Sequence, residues 1–470
     1  MRVSIFRSAR SLATAILALL LVWGPLPFGS VRPRDRLLLL VGSALALAVA
    51  ASSRRARSLR GIRLALAAWV GLVLWALVQR LPLPLPWIEL LSPSLAGLRR
   101  EAVELLATAT SSAPISLAPD RTEAVALWIG ALLAAFVASF LVGRRTRYRR
   151  ALALATVVAA LFEILYGARR WAARDPMIWG ATVPGGSGRL RGTFVNPDHL
   201  ALLLEIGICV TGAWIWWAMT RDHRTSLESR IARIGPPFLL WATLFAALAF
   251  TGSRAGLVAA VAGTLAQGVL LAVRRRRSSL ALTGVGLVLL GMGWVAWLGL
   301  EAGFGRWLAT SRYEIGTNVR RTVYGATLEL WRQAPWTGTG LGSFRSVFPL
   351  IQPETVTGQW SHAHNDWLEL LATGGVVGFL LLLVGLGALA FRLNRVWRRG
   401  VRSEGRAAGL AALGALTAVA LHELLDFGLT IPANALTLAI LVGAAAGTRL
   451  REPSPPGTAA GPDRSEPPAP

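Results

Sequence analysis

Apolar runs close to the thickness of a bilayer recur from end to end of this 470-residue chain, with arginines standing between them. A membrane-crossing helix needs about 20 mostly apolar residues. Segments at residues 11–28, 36–52, 62–79, 122–143, 150–166, 197–219, 236–252, 254–273, 280–299, 374–392, 407–424 and 433–449 approach that length. A water-soluble fold has no means of covering so many apolar helices. The composition agrees, with 54% of residues hydrophobic and 16% charged, and a mean hydropathy of +0.53. The expected fold is an all-α integral membrane protein of about 12 transmembrane helices. The first segment resembles the apolar stretch of a secretory signal. No small-residue cleavage site stands out, however, and many like segments follow, so it reads as the first span.

Orientation follows from the arginines. The chain contains no lysine, and 49 basic against 24 acidic residues give a net charge of +25. In a soluble protein this balance points to nucleic acid. Here the cations punctuate apolar runs, which is how a polytopic protein fixes its sidedness, and nucleic acid is not an expected partner. Four clusters each follow an even-numbered span: Arg54, Arg55, Arg57 and Arg60; Arg144, Arg145, Arg147, Arg149 and Arg150; Arg274 to Arg277; and Arg392, Arg395, Arg398 and Arg399. The positive-inside rule then places them, and both termini, in the cytoplasm. Arg32, Arg34 and Arg36, after span one, run against the rule without inverting it.

Residues 1–450 therefore read as one polytopic membrane domain, and 451–470, rich in Pro, Gly and Ser, as a disordered cytoplasmic tail. Three outer loops remain, at about 80–121, 167–196 and 300–373. The first opens Leu81-Pro82-Leu83-Pro84-Leu85-Pro86-Trp87, carries an amphipathic stretch around Leu98 to Leu106, and reads as lying along the membrane surface. The third, between spans nine and ten, is long enough to fold as a small helical cap. The two halves share no loop pattern, so there is no sign of transporter repeats. The single Cys209 excludes an internal disulfide and cysteine-clustered zinc or iron–sulfur sites.

Polar chemistry concentrates in the last two loops. The second ends Arg189-Leu190-Arg191-Gly192-Thr193-Phe194-Val195-Asn196-Pro197-Asp198-His199 and runs into span six. Asn196 suits a helix N-cap, and Pro197 suits the first helical position. That reading leaves Arg189, Arg191 and His199 unexplained. A helix N-terminus flanked by arginines is an anion site, and pyrophosphate is the anion to expect at the outer leaflet. Arg254, between spans seven and eight, either snorkels to the surface or supplies a second anion ligand. Arg320, or its neighbour Arg321, opens a helix-like run to Trp331 and is a third candidate, with a solvated helix face as the alternative.

Gly338, Gly340 and Gly342 form a Gly-x-Gly-x-Gly turn that follows no strand and lies on the outer side. Rossmann and P-loop readings fail on both counts, so no nucleotide cofactor is expected. The most informative segment runs from Ser361 to Gly378. His362 and His364 stand two residues apart, with Asp366 and Glu369 close by. With His422 and Asp426 they have the residue types of a metal site. The arginines around them oppose a second cation. The competing readings are a histidine general base, able to accept a proton near neutral pH, and a structural histidine capping span ten.

Taken together and in this order, the segments resemble the O-antigen ligase family, which also takes in O-antigen polymerases and protein O-oligosaccharyltransferases. The resemblance covers residues 150–435. His364-Asn365, nine residues, Gly375, two residues and Gly378 match the family's histidine pattern. Arg189-x-x-Gly192-Thr193-Phe194-x-Asn196-Pro197, Ser253-Arg254, the Pro335–Phe344 turn and Leu421-His422-x3-Asp426-Phe427 look like further family features. Asp198 departs from it, since asparagine is frequent there.

The resemblance implies a GT-C-like membrane glycosyltransferase with a helical periplasmic loop between spans nine and ten. It implies inverting, metal-independent chemistry without a cofactor, a glycan donor on undecaprenyl pyrophosphate, and lipid A core or a growing glycan as acceptor. His364 would be the catalytic base. Arg189, Arg254 and Arg320 would bind the donor pyrophosphate, with Arg191 sharing or replacing the role of Arg189. Asn196, His362, Asn365, Asp366, His422 and Asp426 would support the site. The implied location is a bacterial inner membrane, with the site facing the periplasm. Ligase ranks ahead of polymerase, and protein oligosaccharyltransferase third. A lipid-linked glycan transporter or non-catalytic binder is the alternative from another class, and needs the arginines but no base.

Overall fold

Proline at the first helical position opens four of the long helices, and asparagine caps two of the starts that matter most below. The structure, a computed structural model, describes residues 2–52, 59–93, 96–97, 99–101, 112–183, 188–221, 226–275 and 319–451. In chain order its long helices are α1 (Arg2–Trp23), α2 (Pro33–Ala51), α3 (Arg63–Arg80), α4 (Pro119–Val142), α5 (Thr146–Ala172), α6 (Pro197–Met219), α7 (Leu227–Thr251), α8 (Arg254–Arg275), α9 (Val319–Gln333), α10 (Asp366–Arg399), α11 (Ser403–His422) and α12 (Pro432–Ala446). Two short antiparallel pairs, Pro82–Pro84 with Ser112–Pro114 and Met177–Ile178 with Ala181–Thr182, are the strands among the described residues.

Among the described residues, eight helices are long and apolar enough to cross a membrane, and Ala9–Trp23 and Pro432–Ala446 are shorter apolar helices. The stretch expected as a span at 36–52 is helical, as α2, but α2 is not among those eight. The span expected at 280–299, the start of the large outer loop at 300–318, most of the 98–106 stretch and the tail from 452 lie outside the described residues.

Two boundaries differ from the sequence expectation. Helix α7 begins at Leu227 rather than 236 and carries Pro236 and Pro237 inside it. A residue before proline avoids helical angles because its Cβ meets the ring. Gly235 has no Cβ, which removes that obstacle for Pro236. Helix α10 begins at Asp366 rather than 374, because Asn365 caps it there: the Asn365 side chain accepts from the Leu368 N–H at 3.0 Å.

The two largest apolar clusters among the described residues tie the helices together. Leu17, Leu39, Phe136, Leu436 and Ile440 knit α1, α2, α4 and α12. Leu200, Leu204, Leu244, Leu248 and Ala260 knit α6, α7 and α8. Helix α6 is enclosed along most of its length, whereas Leu19, Leu74, Leu127 and Leu165 point outward. Outward leucines carry no penalty in lipid, which is as apolar as they are.

The connections give the bundle two chemically different ends. One gathers the starts of α6, α8, α10 and α12 with the ends of α3, α5, α7 and α11, and α9 packs against α10 there. The other collects the turns joining α4 to α5 and α10 to α11, and the end of α12.

Candidate active site

The first of these ends is held in register by backbone and buried polar contacts. Helix α10 is broken at Gly375, where φ is +66° and ψ −177°, a conformation essentially confined to glycine. The glycine-rich turn crosses at this break. Thr339 N–H donates to Ala372 O at 3.1 Å, Gly340 N–H to Thr373 O at 2.9 Å, and Val376 N–H to Pro335 O at 2.8 Å. Gln79, fully buried at the end of α3, locks the crossing. Its amide donates to Thr337 O at 2.7 Å and Thr373 O at 3.0 Å, and its oxygen accepts from Leu341 N–H at 3.0 Å. The turn is thus a structural clamp that fixes the start of α10.

His364 stands just before that start in a left-handed conformation, φ +54°. The Tyr324 hydroxyl of α9 donates to its carbonyl at 2.7 Å, and burial pushes the Tyr324 phenol up, so it remains a donor. Because Asn365 supplies the helix cap, the His364 side chain is released for other work. Its Nδ1 lies 3.1 Å from Oδ1 of Asp426, while the ring keeps 24% of its side-chain surface exposed. With Nδ1–H donated to the carboxylate, Nε2 carries the free lone pair. Burial favours a neutral Asp426, but the imidazoles of His364 and His422 hold it well below the usual carboxylate range.

Behind Asp426 lies a second pair. Nε2 of His422 is 3.9 Å from Asp426 Oδ2, an ion-pair separation rather than a hydrogen bond. Its Nδ1 is 2.6 Å from Oε1 of Glu205, and both side chains are completely buried. Glu205, His422, Asp426 and His364 therefore form one line from the interior of α6 to the partly exposed imidazole.

Phe427 sits where the histidines meet. Its ring stacks on His362 at 4.5 Å, and stands edge-on to His364 at 4.6 Å and His199 at 4.9 Å. His362 turns away from His364, its Nδ1 3.1 Å from Glu369 Oε1, while Glu369 Oε2 accepts from Ala363 N–H at 2.8 Å. Asp366 contributes its N–H to Glu423 O at 2.9 Å, tying the start of α10 to the end of α11. The two histidines thus serve different carboxylates, and among the described residues no group of three or more His, Cys, Asp or Glu has the geometry to hold a metal ion.

The arginines approach the same turn from two sides. Arg189 donates from Nε to Thr251 O at 2.5 Å and from Nη2 to Asp198 Oδ1 at 2.7 Å. It therefore bridges the start of α6 to the end of α7, and Asp198, adjacent to His199, is its positioning partner. Asn196 caps α6 by accepting from Asp198 N–H at 3.0 Å. Arg191 is 7% exposed, and burial and the neighbouring Arg189 lower its pKa. Arg254 opens α8, three residues after Thr251. From the other side, Arg320 Nη1 donates to Leu425 O at 3.0 Å, next to Asp426. The structure thus brings Arg320, His362, His364, His422 and Asp426 around the 422–427 turn, joins Arg189 and Asn196 to it through Asp198 and His199, and buries Arg191 within electrostatic reach of Arg189, while Arg254 stands at the start of α8, three residues after the Thr251 that Arg189 binds.

Residues 238–383, from α7 through the first half of α10, match the family model described as O-antigen ligase. The chain carries an O-antigen ligase family domain. The matched stretch is just under a third of the chain, and it goes with eight helices among the described residues that are candidate membrane spans by length and composition. No curated protein matches it. The matched stretch contains Arg254, Arg320, the glycine-rich turn and His364. Arg189, Glu205, His422 and Asp426 lie outside it and reach the ligase domain through the contacts above.

Three residues behind the ligase motifs escaped the sequence reading. Glu205 is one and Gln79 another. The third is Glu163 on α5, whose Oε2 accepts from Thr193 N–H at 2.6 Å and Oε1 from the Thr193 hydroxyl at 2.8 Å. It fixes the segment carrying Arg189. Gly192, at φ +59°, has no room for a Cβ, which would meet Glu163 Oε2. For the two glutamates the available signal was an ionisable residue inside an apolar run, itself a pointer to function.

Proposed function

We propose that this protein transfers a glycan from undecaprenyl pyrophosphate to an acceptor sugar hydroxyl, by inverting chemistry on a GT-C-like scaffold. The observation that carries this reading is the His364–Asp426 pair. An imidazole oriented by a buried carboxylate, with part of its side chain open to the surroundings, is the arrangement of a general base. Nε2 of His364 takes the acceptor hydroxyl proton. The acceptor oxygen bonds to the anomeric carbon, and the bond from that carbon to the pyrophosphate oxygen breaks on the opposite face. Undecaprenyl pyrophosphate leaves with the added negative charge.

Arg189, Arg254 and Arg320, with Arg191 behind them, neutralise that charge. Guanidinium groups fixed before the reaction stabilise charge as it develops, without reorganising. Asp426 holds His364 in its base tautomer, and the Glu205–His422 pair acts through Asp426 as a positioning element. His362, Asn196, Asn365 and Asp366 hold the frame. The arginines supply the electrostatic work that a metal does elsewhere, so no metal or cofactor enters this scheme. The enzyme works in a bacterial inner membrane, its site facing the periplasm, its termini in the cytoplasm and residues 1–450 forming the transferase domain. Lipid A core is the acceptor.

The test is to incubate the purified protein with undecaprenyl-pyrophosphate glycan, with and without lipid A core, in EDTA, and to identify by mass spectrometry which lipid carries the glycan. Glycan on lipid A core supports the ligase reading. Longer chains still on undecaprenyl pyrophosphate transfer the same chemistry to a polymerase. Unchanged donor rejects the enzyme reading.

A further inference from the structure

At the opposite end of the bundle from His364, a cavity of about 590 Å³ opens between the turn joining α4 to α5, the turn joining α10 to α11, the end of α12 and Arg10 of α1. That volume is in the range of small-ligand sites, about 300–1,000 Å³. Seven of its eleven lining residues are arginines, and none is acidic. A positive-inside bias accounts for arginines at this end. It does not account for their convergence on one hollow, since solvated arginines on helix ends relieve mutual repulsion by splaying outward.

Neutral groups hold two of these cations, Arg149 and Arg147, in place. Arg149 is 8% exposed and donates to Gly143 O and, at 3.1 Å, to Thr146 Oγ1, leaving its buried Nε with no hydrogen-bond partner. Arg147 lies over the Tyr148 ring at 4.5 Å, and the Tyr148 hydroxyl is 3.0 Å from Ser11 Oγ. The Thr448 hydroxyl, 3% exposed on the cavity wall, also has no partner. Burial and the nearby Arg449 both lower the Arg144 pKa, as expected where like charges are crowded. The contrast is Arg150 one residue on, which pairs with Glu404 at 2.8 Å and does not line the cavity.

We propose that this cavity binds a phosphate-bearing polyanion, with the guanidinium groups on its oxygens and Arg149 Nε and the Thr448 hydroxyl as buried donors. The chemistry is shared by the headgroup of an anionic phospholipid and by a soluble phosphate. Arginine is the residue suited to it, because its planar fork matches phosphate geometry. Its position places the site in the leaflet away from His364, so it is separate from the donor site and independent of the transfer reaction. Val401, nearly half exposed at the rim, gives an acyl chain an apolar exit.

The test uses the full-length protein in detergent and the double variant Arg402→Gln/Arg449→Gln, both positions being exposed and their side chains lining the cavity. Cardiolipin in mixed micelles and inorganic pyrophosphate are titrated separately, with binding read by native mass spectrometry and by the shift in melting temperature. At about a fivefold loss per cation removed near a charged surface, the double variant should bind about 30-fold more weakly. Loss confined to cardiolipin assigns the site to a lipid headgroup, and loss confined to pyrophosphate assigns it to a soluble anion. Equal binding of both probes by wild type and variant, or an equal loss in a control Arg169→Gln variant at the other end, overturns the proposal.

Discussion

Nδ1 of His364 and Oδ1 of Asp426 lie 3.1 Å apart, although 62 residues separate them in sequence. The contact joins the segment just ahead of α10 to the turn after α11, and a carboxylate at that distance favours the tautomer with its proton on Nδ1. Asp426→Asn keeps the shape but presents a mixed donor and acceptor to Nδ1. It should reduce kcat by about 10²–10⁴-fold with little change in donor binding, measured by steady-state transfer and by lipid-linked glycan titration.

The same carboxylate predicts a pH dependence of stability. Asp426 is held below the usual carboxylate range in the folded state. Its contribution is therefore fully present above the unfolded carboxylate pKa of about 3.9 and is lost as pH falls through the lower folded value. Melting temperatures of wild type and Asp426→Asn should differ most at neutral pH and converge as pH drops below about 4. A constant gap across that window contradicts the assignment.

Glu205→Gln probes the buried end of the line. A positioning role predicts a loss in kcat of about tenfold, an unchanged donor KM and a moved acid limb in the pH–rate profile. A purely structural role predicts a lower melting temperature with the limb in its original place.

Reversing charge in Arg254→Glu should weaken binding of the lipid-linked glycan by at least about tenfold, and Arg189→Ala should lower kcat by about 10²–10³-fold. Asp198→Asn, which loosens Arg189 without removing it, should fall between wild type and Arg189→Ala. Unchanged affinity in Arg254→Glu would show that the anion site lies elsewhere.

The two motif glycines should differ sharply. A Cβ on Gly375 would meet the Trp336 carbonyl at a backbone conformation closed to other residues, whereas one on Gly378 would stand 3.4 Å from Trp75 Cδ1, in ordinary contact. Gly375→Ala should cost more than about 3 kcal/mol and Gly378→Ala less than about 1. Urea unfolding in detergent reads the difference.

Much of this architecture was legible in the residues. Asn196 and Pro197 announce a helix start because capping is local chemistry, and they form one. The apolar runs announced the helices, since lipid-spanning segments satisfy their backbone internally. The start of α10 was less legible. The histidine taken as a candidate cap is not the cap, because Asn365 takes that role and His364 turns to Asp426. Glu205, Glu163 and Gln79 were passed over because their partners stand 217, 30 and up to 294 positions away, and periodicity carries no record of such pairings. Asp198 had been marked as a departure from family usage. Its carboxylate holds Arg189, which an asparagine oxygen does with less charge.

In the proposed reaction His364 performs the chemistry while other residues bind the donor. Single-turnover transfer from undecaprenyl-pyrophosphate glycan by His364→Ala, with donor affinity measured on the same preparation, tests it most directly. Transfer should fall at least about 10²-fold, with donor affinity within about twofold of wild type. Transfer at the wild-type rate in that variant would contradict it, and would leave the arginines as a binding site without a base.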